Sequence, residues 1–145
     1  MTDYWKVYDA FLSKMTEDEY ALWTEEEAAQ DMRELLESAI PAFKFPRISL
    51  DRDDSGFIND LSSDEIQILS VHMRVEWLSR SILSWDNVKP LYSEKDFSPA
   101  NMLSKLKELL EFETIRAARL EDIYYRSIKG KSYKYSKLAG NNGTV

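Results

Sequence analysis

Apolar residues recur along this chain at helical spacing. Near the start, Tyr4, Tyr8, Phe11, Leu12 and Met15 fall on one side of a helical projection, which predicts a short amphipathic helix of about three turns. Thr16 and Glu19 stand three residues apart, as do Thr24 and Glu27. Each pair fits a capping box, in which the hydroxyl and the carboxylate satisfy free amides at a helix start. Together they predict a helix over residues 17–40, bent near Thr24, with Ala21, Ala28, Met32, Leu35 and Ala39 facing inward. Glu25, Glu26 and Glu27 then lie in a first turn, where the helix dipole favours negative charge.

Pro41 and Pro46 interrupt the helical pattern. The intervening "AFKFPRISL" alternates in part and carries aromatic and β-branched residues, which suits one short strand at most. Over residues 63–84 the periodicity is strongest: Ile68, Val71, Val75, Leu78, Ile82 and Trp85 form one stripe. Ile66, Leu69, Met73 and Trp77 form a second stripe beside it. A helix apolar on two sides has to pack between neighbours, so this segment is predicted to be the central helix, capped by Ser62 and Glu65.

A loop through "SWDNVKPLYSEKDF" ends at Ser98-Pro99, a capping hydroxyl followed by proline where its missing amide costs nothing. From there Leu103, Leu106, Leu110, Ala117, Leu120 and Tyr124 continue to Gly130 without a breaker. That gives ~31 residues and, at ~1.5 Å per residue, about 46 Å of helix, which outreaches a small domain. The predicted fold is therefore all-α, with about four helices, a long C-terminal helix and an extended C-terminal arm. Residues 1–129 form the helical domain and residues 130–145 the arm.

Composition narrows the function classes. A chain of 145 residues supports one core, and 43% hydrophobic content with eight Tyr, six Phe and four Trp predicts that it folds despite a net charge of −7. The lack of cysteine excludes disulfides, thiolate catalysis and Cys-zinc sites while leaving the redox compartment open, and a single histidine, His72, excludes His-rich metal sites. No apolar run approaches the ~18 residues that a membrane span needs. The opening "MTDYWKVYDAF" lacks the order of a signal peptide, which predicts a chain kept where it is translated. Charge is segregated: residues 1–40 hold 11 acids and 3 bases, residues 126–145 hold 5 bases and no acid. Such ends can attract different partners, or each other in neighbouring copies.

Three groups of residues invite chemistry. Asp51, Asp53 and Ser55, followed by Gly56, have the order of a calcium loop. Against that reading, the twelfth position is Ser62 rather than glutamate, and Pro46 stands where an entering helix would run. No metal is predicted, with a weak surface cation on Asp51, Asp53 and Asp54 as the alternative. His72 and Glu76 are one helical turn apart and could share a proton. The chain offers no nucleophile triad, no phosphate-cradling glycine loop and no metalloprotease motif, so neither an enzyme nor a cofactor is predicted. Finally, Arg126, Lys129, Lys131, Lys134 and Lys137 alternate with Tyr124, Tyr125, Tyr133 and Tyr135. Bases and rings of this kind bind nucleic acid, but on an acidic chain they fit better against an acidic protein surface.

The stretch from "LSSDEIQILSVHMRVEWLSR" to "LEDIYYR" resembles small structural proteins of tailed phages encoded among the head and neck genes. The residues that carry the likeness are Glu65, Ile66, Ile68, Leu69, Met73, Trp77, Leu78 and Arg80, then Tyr92, Ser93, Lys95, Asp96 and Phe97, then Leu103, Leu106 and Tyr124 to Arg126. The chain departs from that pattern at "SWDNVKP" and at "DFSPANM". The resemblance implies a head-to-tail connector, or adaptor: a virion structural protein forming a ring, usually dodecameric, that lines the DNA channel in the neck. Its implied partners are the portal protein, other copies of itself, downstream neck or tail proteins and, non-specifically, the packaged DNA. Its implied place is the virion neck, after assembly in the host cytoplasm, with no membrane involved. On this reading Tyr124, Tyr125, Arg126, Lys129, Lys131, Tyr133, Lys134, Tyr135 and Lys137 carry partner contact, while Trp77, Tyr92, Asp96 and Phe97 fix the loop between the two main helices. Other expectations stay open: a different neck or head-completion role, a calcium-binding helical module using residues 51–62, and a nucleic-acid-binding factor.

Overall fold

Among the described residues one helix, α3 (Ser63–Val88), touches every other helix. The computed structural model describes residues 1–88 and 99–127. Around α3 pack α1 (Tyr4–Leu12), α2 (Glu25–Ala39) and α4 (Pro99–Arg126), and a two-stranded antiparallel ribbon joins β1 (Thr2–Asp3) to β2 (Gly56–Phe57). The fold class is all-α, with four helices among the described residues. None of them is long and apolar enough to cross a membrane.

Both predicted stripes of α3 are used. Ile68, Val71 and Leu78 of the first are buried, as are Leu69, Met73 and Trp77 of the second. Its start is closed by the predicted box: the Ser62 amide donates to Glu65 Oε1 at 2.7 Å and the Glu65 amide donates to Ser62 Oγ at 3.2 Å. On α2 the box at Thr24 and Glu27 forms likewise, and Ala28, Met32, Leu35, Leu36 and Ala39 face the core.

The first of the two anticipated caps does not form, and residues 16–24 are turns rather than helix. The cause is an ion pair. Arg74 of α3, only 2% exposed, donates to both carboxylate oxygens of Glu17, at 2.7 and 3.1 Å. Each hydrogen bond to a charged group contributes about 1.5–3 kcal/mol and Glu17 accepts two, against about 1 kcal/mol for one capping box. Glu17 therefore stays on Arg74, the Thr16 amide turns to Glu17 rather than Glu19, and Ala21 is exposed instead of inward.

Residues 42–50, which allowed one short strand at most, form none. A single 3₁₀ turn (Ile40–Ala42) leads into irregular chain that buries Phe43. Extended pairing arises instead where Thr2 and Asp3 meet Phe57 and Gly56. Gly56 permits it, because a Cβ there would stand 2.2 Å from the Thr2 carbonyl oxygen. Thr2 then fastens the junction, its hydroxyl donating to the Asn59 carbonyl at 3.0 Å and accepting from the Leu61 amide at 2.8 Å.

α4 runs antiparallel to α3, since Glu65, His72 and Arg74 meet Tyr124, Glu121 and Glu113 in reverse order. Leu103, Leu106, Ala117 and Tyr124 are buried along this seam. Its 28 residues are matched by the 26 of α3, so the expectation that α4 outreaches its own domain is corrected: α3 accompanies it. The anticipated end at Gly130 lies outside the described residues.

Phe11 is wholly buried and Leu22 is 98% exposed. Phe11→Ala is expected to lower unfolding free energy by about 3–5 kcal/mol, through lost burial plus a cavity. Leu22→Ala is expected to change it by ~0.5 kcal/mol or less. Chemical denaturation of the two variants beside the parent checks both.

Candidate partner-binding surface

Tyr124 was expected on a contact surface and is instead 2% exposed. Three groups explain its burial. Its hydroxyl donates to Glu65 Oε2 at 2.6 Å and accepts from the Arg47 amide at 2.9 Å. The Arg47 guanidinium stands 3.8 Å over the ring, and Phe43 meets it edge-on at 5.4 Å. The residue locks the end of α4 to the start of α3 and to the segment after α2, so its assignment to partner contact is corrected. Burial, and then the hydrogen bond to Glu65, push its phenol up to about 12.

The neighbouring residues divide. Tyr125 is half-buried, donates to Glu121 Oε1 at 3.0 Å, and packs at 6.1 Å against Phe45. Phe45 and Tyr125 line a shallow groove of about 290 Å³ with Ala42, Lys44, Ala118, Glu121 and Asp122. Arg126 is exposed and stands 3.1 Å from Asp122. Lys129, Lys131, Tyr133, Lys134, Tyr135 and Lys137 lie outside the described residues, as do Tyr92, Asp96 and Phe97. Trp77 is in the core, 5.1 Å from the Arg74 guanidinium.

His72 does not pair with Glu76. It faces α4, where its Nε2 stands 3.0 Å from Glu121 Oε2, and so ties two helices together. The segment with Asp51, Asp53 and Ser55 is organised by its own backbone. Asp53 Oδ1 accepts from the Ser55 and Gly56 amides at 2.7 and 3.2 Å, which makes a side-chain-supported turn. The Asp53 amide donates to the Gly56 carbonyl at 3.0 Å, and Arg52 bridges Phe57 across the hairpin. A hairpin, not a pair of helices, presents these acids, which removes the geometry that a calcium-binding helical module requires. Among the described residues no group of three potential ligands could hold a metal ion.

The apolar surface that other molecules can reach was not picked out by the inward stripes. On α4, Phe112, Ile115 and Ile123 are 62%, 50% and 53% exposed. They lie out of phase with Leu103, Leu106 and Leu110, and that phase difference was readable as a second stripe. A second surface is a groove of about 760 Å³ lined by Leu22, Trp23, Glu26, Glu27, Gln30, Asp31 and Glu34. Within it Asp31 is already engaged, by Arg80 at 2.7 and 2.9 Å and by the Tyr20 hydroxyl at 2.6 Å.

No protein-family model, curated protein or solved structure matches this chain.

Tyr124→Phe leaves the buried Glu65 and the Arg47 amide without the hydroxyl they share, and is expected to cost ~1–3 kcal/mol at neutral pH. The raised phenol adds a pH signature. Its contribution is complete below the unfolded value of 10.0 and is lost as pH rises towards about 12. The decline of stability over that window is expected to be shallower in Tyr124→Phe than in the parent, as read from denaturation at a series of alkaline pH values.

Proposed function

We propose that this chain is a structural subunit of a tailed-phage neck: a head-to-tail connector that assembles as a ring between portal and tail and lines the DNA path. The observation that carries this reading is the outward face of α4. Its inner face is occupied by α3, yet Phe112 and Ile115 stand in solvent on the other side. An exposed apolar stripe on a helix that is already packed suits burial on another chain.

Two further features support it. The sequence beyond Ser127 carries Lys129, Lys131, Lys134 and Lys137 with no acid, while α2 begins with Glu25, Glu26 and Glu27. Opposite charges at separate parts of one subunit suit contact between subunits, or between the tail and an acidic portal surface. The residues that resemble phage neck proteins, Glu65, Ile68, Met73, Trp77 and Leu106 among them, fall on the α3–α4 pair that forms the frame of the domain. The role is structural, with α3 and α4 as the rigid part and the outward face and basic tail as the contacts.

Mass measurement of the purified chain, alone and mixed with the portal protein of the same genome, tests the proposal. A complex of several copies with the portal is expected. Deletion of residues 130–145 is expected to leave a folded protein that no longer joins it. No complex with the full chain overturns the connector reading, and undiminished binding by the truncated chain overturns the role given to the tail.

A further inference from the structure

The exposed face of α4 has an order of its own. Lys105, Glu108, Phe112, Ile115, Arg119 and Asp122 follow one another at alternating steps of three and four residues, and every one of them is exposed. That spacing is a coiled-coil seam, on the side of the helix opposite the one buried against α3. Its chemistry is symmetric about its middle. Two apolar residues stand at the centre, flanked by an acid on one side and a base on the other, then by a base and an acid.

We infer that two copies of this chain pair through this face, with their α4 helices antiparallel about a two-fold axis lying between Phe112 and Ile115. In that register Phe112 of one copy meets Ile115 of the other, Glu108 meets Arg119, and Lys105 meets Asp122, each contact occurring twice. The parallel arrangement would set every residue against itself: Lys105 on Lys105, Glu108 on Glu108, Arg119 on Arg119. Like charges across a seam are repulsive, so the sequence selects the antiparallel pair. The charges are available for it. Among the described residues Lys105, Glu108 and Arg119 make no ion pair within the chain, and Asp122 shares only the exposed, salt-screened contact with Arg126 at 3.1 Å. Backbone geometry also permits it, because α4 is continuous from Pro99 to Arg126 and its outward side carries no other described element.

The inference rests on the reading that this face is buried on another chain, and it adds which chain and in what register. A two-fold pair is closed, so it describes the free protein before a ring forms. With four large apolar side chains at its centre, it is a weak and salt-sensitive association.

Sedimentation equilibrium of the full chain, over a concentration series reaching the high-micromolar range, tests the pair. A reversible monomer–dimer equilibrium is expected. Glu108→Arg and Arg119→Glu are each expected to weaken it at least about tenfold, since each sets two like charges face to face. Glu108→Arg with Arg119→Glu in the same chain is expected to restore it. Phe112→Asp is expected to abolish it with the thermal unfolding midpoint unchanged, because that side chain is outside the core. A chain monomeric throughout the series overturns the inference, and so does a double variant no better than the singles. A monomeric chain that still joins the portal refutes the pair and leaves the connector reading standing. A pair rescued by the double variant in a chain that never joins the portal does the reverse.

Discussion

The structure depends on one constraint: α3 is apolar on two adjoining sides and cannot be left with either in water. Ile68, Val71 and Leu78 on one side, and Leu69, Met73 and Trp77 on the other, are all buried. A single neighbouring helix covers one stripe of about 100°, so several are required. α4 lies antiparallel along its length, while α1 and α2 close the remainder. The architecture is thus the solution to covering one helix, and each other helix spends its own inner stripe on that task.

Polar ties fix how those covers sit. Glu65 caps α3 with one carboxylate oxygen and accepts the Tyr124 hydroxyl with the other, so one buried acid sets the start of α3 and the end of α4 together. Arg74, buried further along, holds Glu17 and stands 3.9 Å from Glu113 of α4. His72 and Glu121 add a third tie between α3 and α4. Each is directional where apolar packing is not, which fixes register as well as contact. At the rim the same logic recurs: Glu37 accepts from Arg33 at 3.0 Å and from Arg52 at 2.7 Å, and these guanidinium groups hold its carboxyl down at about 2.

Once α3 is covered, what remains is a helix with its back to solvent. The outward face of α4 has a composition that suits neither a core nor an ordinary charged surface, since Phe112 and Ile115 sit within an ordered set of charges. The acidic start of α2 and the basic sequence after α4 add charge segregation to that picture. A chain so arranged carries apolar surface outside and its buried polar groups inside: His72, Glu65 and Tyr124 are all occupied in holding helices together.

The sequence by itself determined whatever rests on contacts within a few residues. Apolar periodicity located α1, most of α2, and α3 and α4, and the local boxes at Thr24–Glu27 and Ser62–Glu65 marked true helix starts because both partners lie within one turn. The turn at Asp53 and Ser55 likewise rests on bonds that close within three residues. Only the tertiary structure decided what depends on distant partners. Glu17 went to Arg74, 57 residues away, and the Thr16–Glu19 box did not form. Thr2 found Leu61, and Tyr124 found Glu65, each across 59 residues, which turned an anticipated contact residue into a buried lock. The physical reason is the same in each case: periodicity and capping tell which groups require partners, whereas the choice among competing partners is made by burial, and burial exists only once the helices have packed.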